Sequence, residues 1–135
     1  MATRCVARRD EHGSATAELV IATPLLLLLI LAIVQFALWE HATHVAQAVA
    51  QQGLAAGRVQ GGNDQAATAE ANSVLTQLGS GVLVDSNVTA TRENATTTVV
   101  VTGQAEGILP FLSLPVRSVA TGPTERFTTA EVQGP

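Results

Sequence analysis

Residues 13–38 read GSATAELVIATPLLLLLILAIVQFAL. Small and polar residues open the stretch, with one acid at Glu18. From Leu19 the chain then runs for about 20 residues without a charge, the length a helix needs to cross a hydrocarbon layer of ~30 Å. The Leu, Ile, Val and Phe side chains between Leu19 and Leu38 together contribute about −4 to −8 kcal/mol on a membrane-insertion scale. Pro24, Gln35 and, at the edge, Glu18 oppose that sum. An acid at the centre of a span costs about 2.5–3.5 kcal/mol, and one at the interface costs less. The balance favours a membrane helix. The competing reading is the core helix of a soluble domain, which seldom stays apolar on every face for this long.

Working outward, Arg4, Arg8 and Arg9 lie before the run, and the next arginine after it is Arg58. Cationic residues collect on the cytoplasmic side of a span, so the asymmetry predicts a cytoplasmic N-terminus and an extracytoplasmic C-terminal part. The expected domains are a leader over 1–13, a transmembrane helix over 14–38 and a small outer domain over 39–135. A secretory signal cut at Ala48-Val49-Ala50 is a further reading, but the apolar run exceeds the 7–15 residues of such a signal and ends well before that site.

The whole chain has 135 residues and a formal net charge of −4, with no lysine and no tyrosine. That balance does not suggest nucleic acid or anionic lipid as a partner. Trp39 and the phenylalanines Phe36, Phe111 and Phe127 are the only aromatics, which predicts a thin core outside the membrane. Cys5 is the only cysteine and precludes an internal disulfide.

Past the span, His41 and His44 share a helix face with Glu40 close by, but no third His or Cys completes a metal-binding spacing. Val45, Ala46, Val49, Ala50, Gly53 and Ala56 form a narrow stripe of small residues on a helix expected to reach Gln60, with a break at Gly53 or Gly57 as one reading. Asn63 is placed to cap a second helix whose apolar stripe is Ala67, Ala71, Val74, Leu75 and Leu78. From Val82 the period changes to two. Val82, Val84, Ser86, Val88 and Ala90 would share one strand face, Thr96–Thr102 the partner strand, and Val116–Thr121 a third, with a possible extension over 126–129. The predicted fold is α+β: a long N-terminal transmembrane helix continuing outside, a short second helix and a small antiparallel sheet. The connection GILPFLSLP, residues 107–115, is apolar. It is either exposed as a contact surface or folded back as core. Asn87-Val88-Thr89 and Asn94-Ala95-Thr96 match the N-glycosylation triplet and are read as chance matches.

A glycine closing a short basic leader, four small residues, Glu18 and a long apolar helix resemble the processing site of type IV pilins and pseudopilins. More narrowly, SATAELVIATPLLLLLILAIVQF resembles the TadE-like proteins of tight-adherence pilus systems, and ILPFLSLPV with GPTERF (residues 108–116 and 122–127) resembles the C-terminal part of actinobacterial members. The resemblance implies cleavage between Gly13 and Ser14 by a prepilin peptidase. It also implies assembly with other pilin-like subunits, an inner-membrane platform and a secretion ATPase acting through it. Glu18 becomes the fifth mature residue, four positions from the new amino group on Ser14. Amine and acid can then pair within one subunit or between neighbours. Ser14 stands where major pilins carry phenylalanine, and Leu19 where small tight-adherence pilins carry tyrosine. Both point to a minor pilin or pseudopilin. Pro24 frees the carbonyl of Val20 and softens the helix, with Thr23 available to the backbone. Gln35 is suited to bond a neighbouring helix. No catalytic set, phosphate-gripping loop, cofactor or small-molecule site is legible, so enzymatic steps fall to partners. The alternative function is a single-pass, membrane-tethered envelope binding module without a pilus role.

Overall fold

The computed structural model describes residues 11–109 and 111–126, the side chains of 11–14 excepted. Arg4, Cys5, Arg8, Arg9, Phe127 and residues 127–129 of the strand extension suggested over 126–129 lie outside the described residues, and Arg126 is not in a strand. The order of elements is α1 (Glu11–Arg58), α2 (Asp64–Leu78), β1 (Leu83–Arg92), β2 (Thr96–Ala105) and β3 (Leu114–Pro123), the α+β arrangement expected. The chain divides into two units at Val34/Gln35.

In the first unit, the described residues belong to α1 alone. Leu19, Val20, Ile21, Leu25 to Ile30 and Ile33 are each 48–71 % exposed. A core helix of a soluble domain would bury most of such a surface, and only 6 % of this apolar window is buried. The helix passes through Pro24 without ending. The Thr23 hydroxyl donates to Leu19 O at 2.8 Å, so it does not serve the Val20 carbonyl that Pro24 frees.

In the second unit, α1 presents Ala42, Val45, Ala46, Val49, Ala50 and Leu54 to a three-stranded antiparallel sheet of order β1-β2-β3. The sheet's inner face carries Thr97, Val99, Val101 and Ala105 from β2 and Val116, Ser118 and Ala120 from β3, alternating with less buried residues as the strand period requires. The largest fully buried side chains are only valine and threonine, the thin core that a sequence poor in aromatics predicts. Lengths match as well. Gln35 to Gly57 rises about 33 Å along a helix, and a strand of 10 residues spans about 33 Å. One end of the sheet therefore lies at Gln35 and the other at Gly57.

Small residues set how closely the elements approach. A methyl group added at Gly53 would stand 2.9 Å from Ala71 Cβ and 3.3 Å from Val99 Cγ1. At Gly57 it would stand 2.7 Å from Ala67 Cβ and 3.1 Å from Thr97 Cγ2. The helix is unbroken at both glycines, correcting the suggested break. Their lack of a side chain lets α2 and β2 press on the helix backbone. Ala67 and Ala71 are the buried residues of α2, whereas Val74 and Leu75 are half-buried and Leu78 is exposed, a narrower stripe than expected. Asn63 caps α2 as predicted, its side-chain oxygen accepting from Ala66 N at 2.7 Å.

The strand phase of β1 needs a second correction. Asn87 pairs with Thr102 while Val84 pairs with Gln104, so β1 carries one extra residue between them, and Asp85 adopts φ 50°. This β-bulge reverses the alternation. Leu83 is buried before it, Val84 is exposed, and Val88 and Ala90 are half-buried after it. β2 and β3 extend a few residues beyond the expected bounds, and α1 stops at Arg58, two residues short of Gln60.

The C-terminal carbonyls of α1 are answered from three directions. Arg92 Nη1 donates to Gly57 O, and to Val59 O at 2.8 Å. Glu125 N donates to Arg58 O at 2.8 Å, and Gly62 N to Val59 O at 2.9 Å. A cation at a helix C-terminus also opposes the negative end of the helix dipole. The backbone N–H of Arg92 in turn donates to Asp64 Oδ1 at 2.6 Å, fastening the first turn of α2 to the same point.

Two outcomes follow from this packing. Gly57→Val forces a branched side chain into Ala67 and Thr97 and lowers stability by about 1–3 kcal/mol, while Gln52→Ala on the exposed face leaves the denaturation midpoint in detergent unchanged. Arg92→Ala strips donors from two helix-terminal carbonyls and lowers stability by about 1–3 kcal/mol. Arg92→Lys recovers only part, because a single ammonium does not reproduce the guanidinium geometry. A midpoint unmoved by Arg92→Ala would contradict the capping role.

Candidate functional site

The residues singled out by sequence fall into two groups along α1. At its N-terminal end, Gly13 and Ser14 lie within the helix backbone, and the side chain of Ser14 lies outside the described residues. Glu18 follows one turn later and is exposed, its side chain making no hydrogen bond or ion pair to another described residue. An exposed carboxylate at the head of an exposed apolar helix is chemically incomplete in a membrane. It requires a cationic or hydrogen-bonding partner supplied by water, by its own N-terminus or by another chain.

The second group surrounds Gln35, and its geometry is the less expected. Gln35 is 2 % exposed although apolar neighbours on the same helix, such as Phe36, are 60 % exposed. Its Oε1 accepts from Ile108 N at 3.0 Å, so its partner is the chain's own β2–β3 connection. Its Nε2 is buried with no hydrogen-bond partner among the described residues. Gly107 packs directly on this amide, where a Cβ would stand 3.0 Å from Oε1 and 3.1 Å from Cδ. One turn further on, Trp39 Nε1 donates to Pro115 O at 3.2 Å, and its ring lies 5.8 Å from that of Phe36. The β2–β3 connection is thus tied to α1 at both of its ends. Sequence reading had marked Gln35 and Trp39 separately. It had no signal for their shared partner, more than seventy residues away.

Between the ties, the connection exposes its apolar side chains. Phe111 is 83 % exposed, Ile108 54 % and Leu112 39 %. Of the two readings left open for this segment, exposure is the one found for Ile108, Phe111 and Leu112; Pro110 lies outside the described residues. Glu40 and His44 form an exposed pair, Nε2 to Oε1 3.1 Å, with His41 exposed beside them. Among the described residues no three His, Cys, Asp or Glu side chains are grouped to hold a metal ion.

Comparison with known proteins adds one positive finding. A family model described as TadE-like protein matches residues 13–54. No curated protein and no solved structure matches the chain. The matched segment begins at Gly13, runs through the exposed apolar helix, and ends at Leu54 on the small-residue face that packs against the sheet. It does not reach residues 108–116 and 122–127, so it does not bear on the resemblance expected there. Such a match points to involvement in tight-adherence pilus assembly and, with the long apolar helix, to a membrane-anchored pilus component. From Gly13 to Leu54, then, this chain is similar to TadE-like proteins.

Proposed function

We propose that the chain is a minor pilin or pseudopilin that takes part in assembling tight-adherence pili and packs through its N-terminal helix. The observation that carries this reading is the coincidence of the TadE-like match with a helix whose apolar surface is exposed on every side. Such a surface is stable only against lipid or against like helices, and a pilin helix meets each in turn. In this reading residues 1–13 are a cytoplasmic leader, 14–38 span the membrane with the N-terminus inside, and 39–135 form the outer domain.

A prepilin peptidase cuts between Gly13 and Ser14. The new α-amino group has a reference pKa of about 7.7–8.0 and is mostly protonated at neutral pH. It pairs with Glu18 of the same or a neighbouring subunit and offsets the cost of holding a carboxylate beside lipid. Pro24 supplies a locally softened helix for repacking between membrane and filament. The platform and its ATPase supply the work of extraction, which nothing in this chain provides.

The N-terminus of the mature protein tests the reading. Mass spectrometry from cells with the peptidase is expected to find a chain starting at Ser14, and from cells without it a chain that retains the leader. Glu18→Ala is expected to leave processing intact while reducing the amount of this subunit that co-purifies with pilus components. An unprocessed membrane protein in both strains refutes the pilin mechanism and leaves a tethered envelope binding module as the better account.

A further inference from the structure

The β2–β3 connection ends the sheet at the level of Gln35, and Gln35 lies within the apolar run. It precedes Leu38, the last residue of that run, by three positions, or about 4–5 Å along a helix. The bond from Ile108 N to Gln35 Oε1 therefore fixes the connection at a depth set by the span. The second tie, Trp39 to Pro115, involves an indole of the kind that settles at the membrane–water boundary. Residues 107–116 carry no charged side chain; Glu106 and Arg117 flank them. Ile108, Phe111 and Leu112 are exposed there, with Phe36 exposed on the helix at the same level.

We propose that this connection is a second membrane contact, inserting Ile108, Phe111 and Leu112 into the headgroup–acyl boundary of the leaflet from which α1 emerges. The inference rests on the reading of α1 as a membrane span. The occupant is the apolar edge of the lipid, because the segment offers hydrocarbon and no cation to an anionic headgroup. Binding is accordingly insensitive to anionic lipid content and to salt. The arrangement also accounts for the burial of Gln35. The connection supplies a hydrogen bond to the amide oxygen at a level where an unpaired polar group is costly.

The full chain with Cys5→Ser supplies the background for the test. Single cysteines at Phe111, Ile33 and Thr121 are labelled with the environment-sensitive dye NBD. The proteins are reconstituted in phosphatidylcholine vesicles with and without lipids bearing a nitroxide at a shallow acyl position. The proposal expects blue-shifted, quenched emission at Phe111→Cys and Ile33→Cys, and water-like, unquenched emission at Thr121→Cys on the exposed side of β3. It also expects the Phe111→Cys signal to stay unchanged when a fraction of the lipid is replaced by phosphatidylglycerol. Quenching at Ile33→Cys with water-like emission at Phe111→Cys overturns the loop contact while leaving the span intact. Emission at Phe111→Cys that is blue-shifted but unquenched also overturns it, since protein, such as a second copy of the chain, then covers the loop. Absence of quenching at Ile33→Cys refutes the span itself and removes the basis of the loop contact with it.

Discussion

The folded part of this chain depends on how closely other elements can approach one helix. Gly53 and Gly57 leave no side chain between α1 and its neighbours, and Ala42, Ala46 and Ala50 leave little more. Valines and threonines on β2 and alanines on α2 fill the remaining space. With so little hydrocarbon per residue, stability comes from the density of contact, because dispersion falls off within an ångström of a gap. The thin core therefore requires accurate fit along the whole face from Ala42 to Gly57. It also explains why the helix terminus is so thoroughly bonded. Arg92, Gly62 and Glu125 supply polar bonds where apolar area is scarce.

The same helix faces two environments, and its composition records the change. Up to Val34 the side chains are large, branched and exposed all round. From Ala42 they are small on one face and polar on the other. Between them stands a short transition, Gln35 to Glu40, where the β2–β3 connection binds. Its polar ties are directed inward to the chain, leaving apolar groups outermost. That is the pattern expected where a protein surface faces neither bulk water nor a dry protein interior.

Much of the fold was legible because it rests on local rules. The capping of α2 by Asn63, the change to period two after Val82, and the β-branched run of β2 each follow from a few adjacent residues. What escaped was non-local. The bulge at Asp85 is set by pairing with β2, so an uninterrupted alternation put Val84 where Leu83 belongs. Gly53 and Gly57 read as weak points in a helix because glycine alone cannot announce what will press against it. Of the site residues, Glu18 and Gln35 were conspicuous as polar groups in an apolar run. The partner of Gln35 was not, since a backbone N–H at Ile108 leaves no mark on the sequence. The family match has the same horizon: it follows the local pattern from Gly13 to Leu54 and stops before the sheet begins.

Because the anchor and the core share one helix, they cannot be parted without loss. Ala48-Val49-Ala50 resembles a signal-peptidase site, yet Val49 and Ala50 are fully buried in the middle of α1. A cut after Ala50 would remove Ala42, Val45, Ala46, Val49 and Ala50, five of the fourteen buried apolar residues of the core. It would also leave the inner faces of β2 and β3 open over half their length and free the β2–β3 connection from both its ties. A secreted, soluble product of that cut would have little left to fold around. Removal of residues 1–13 touches none of these contacts. These core contacts thus depend on residues 42–50 and not on residues 1–13, and that asymmetry argues against a product that sheds its apolar helix.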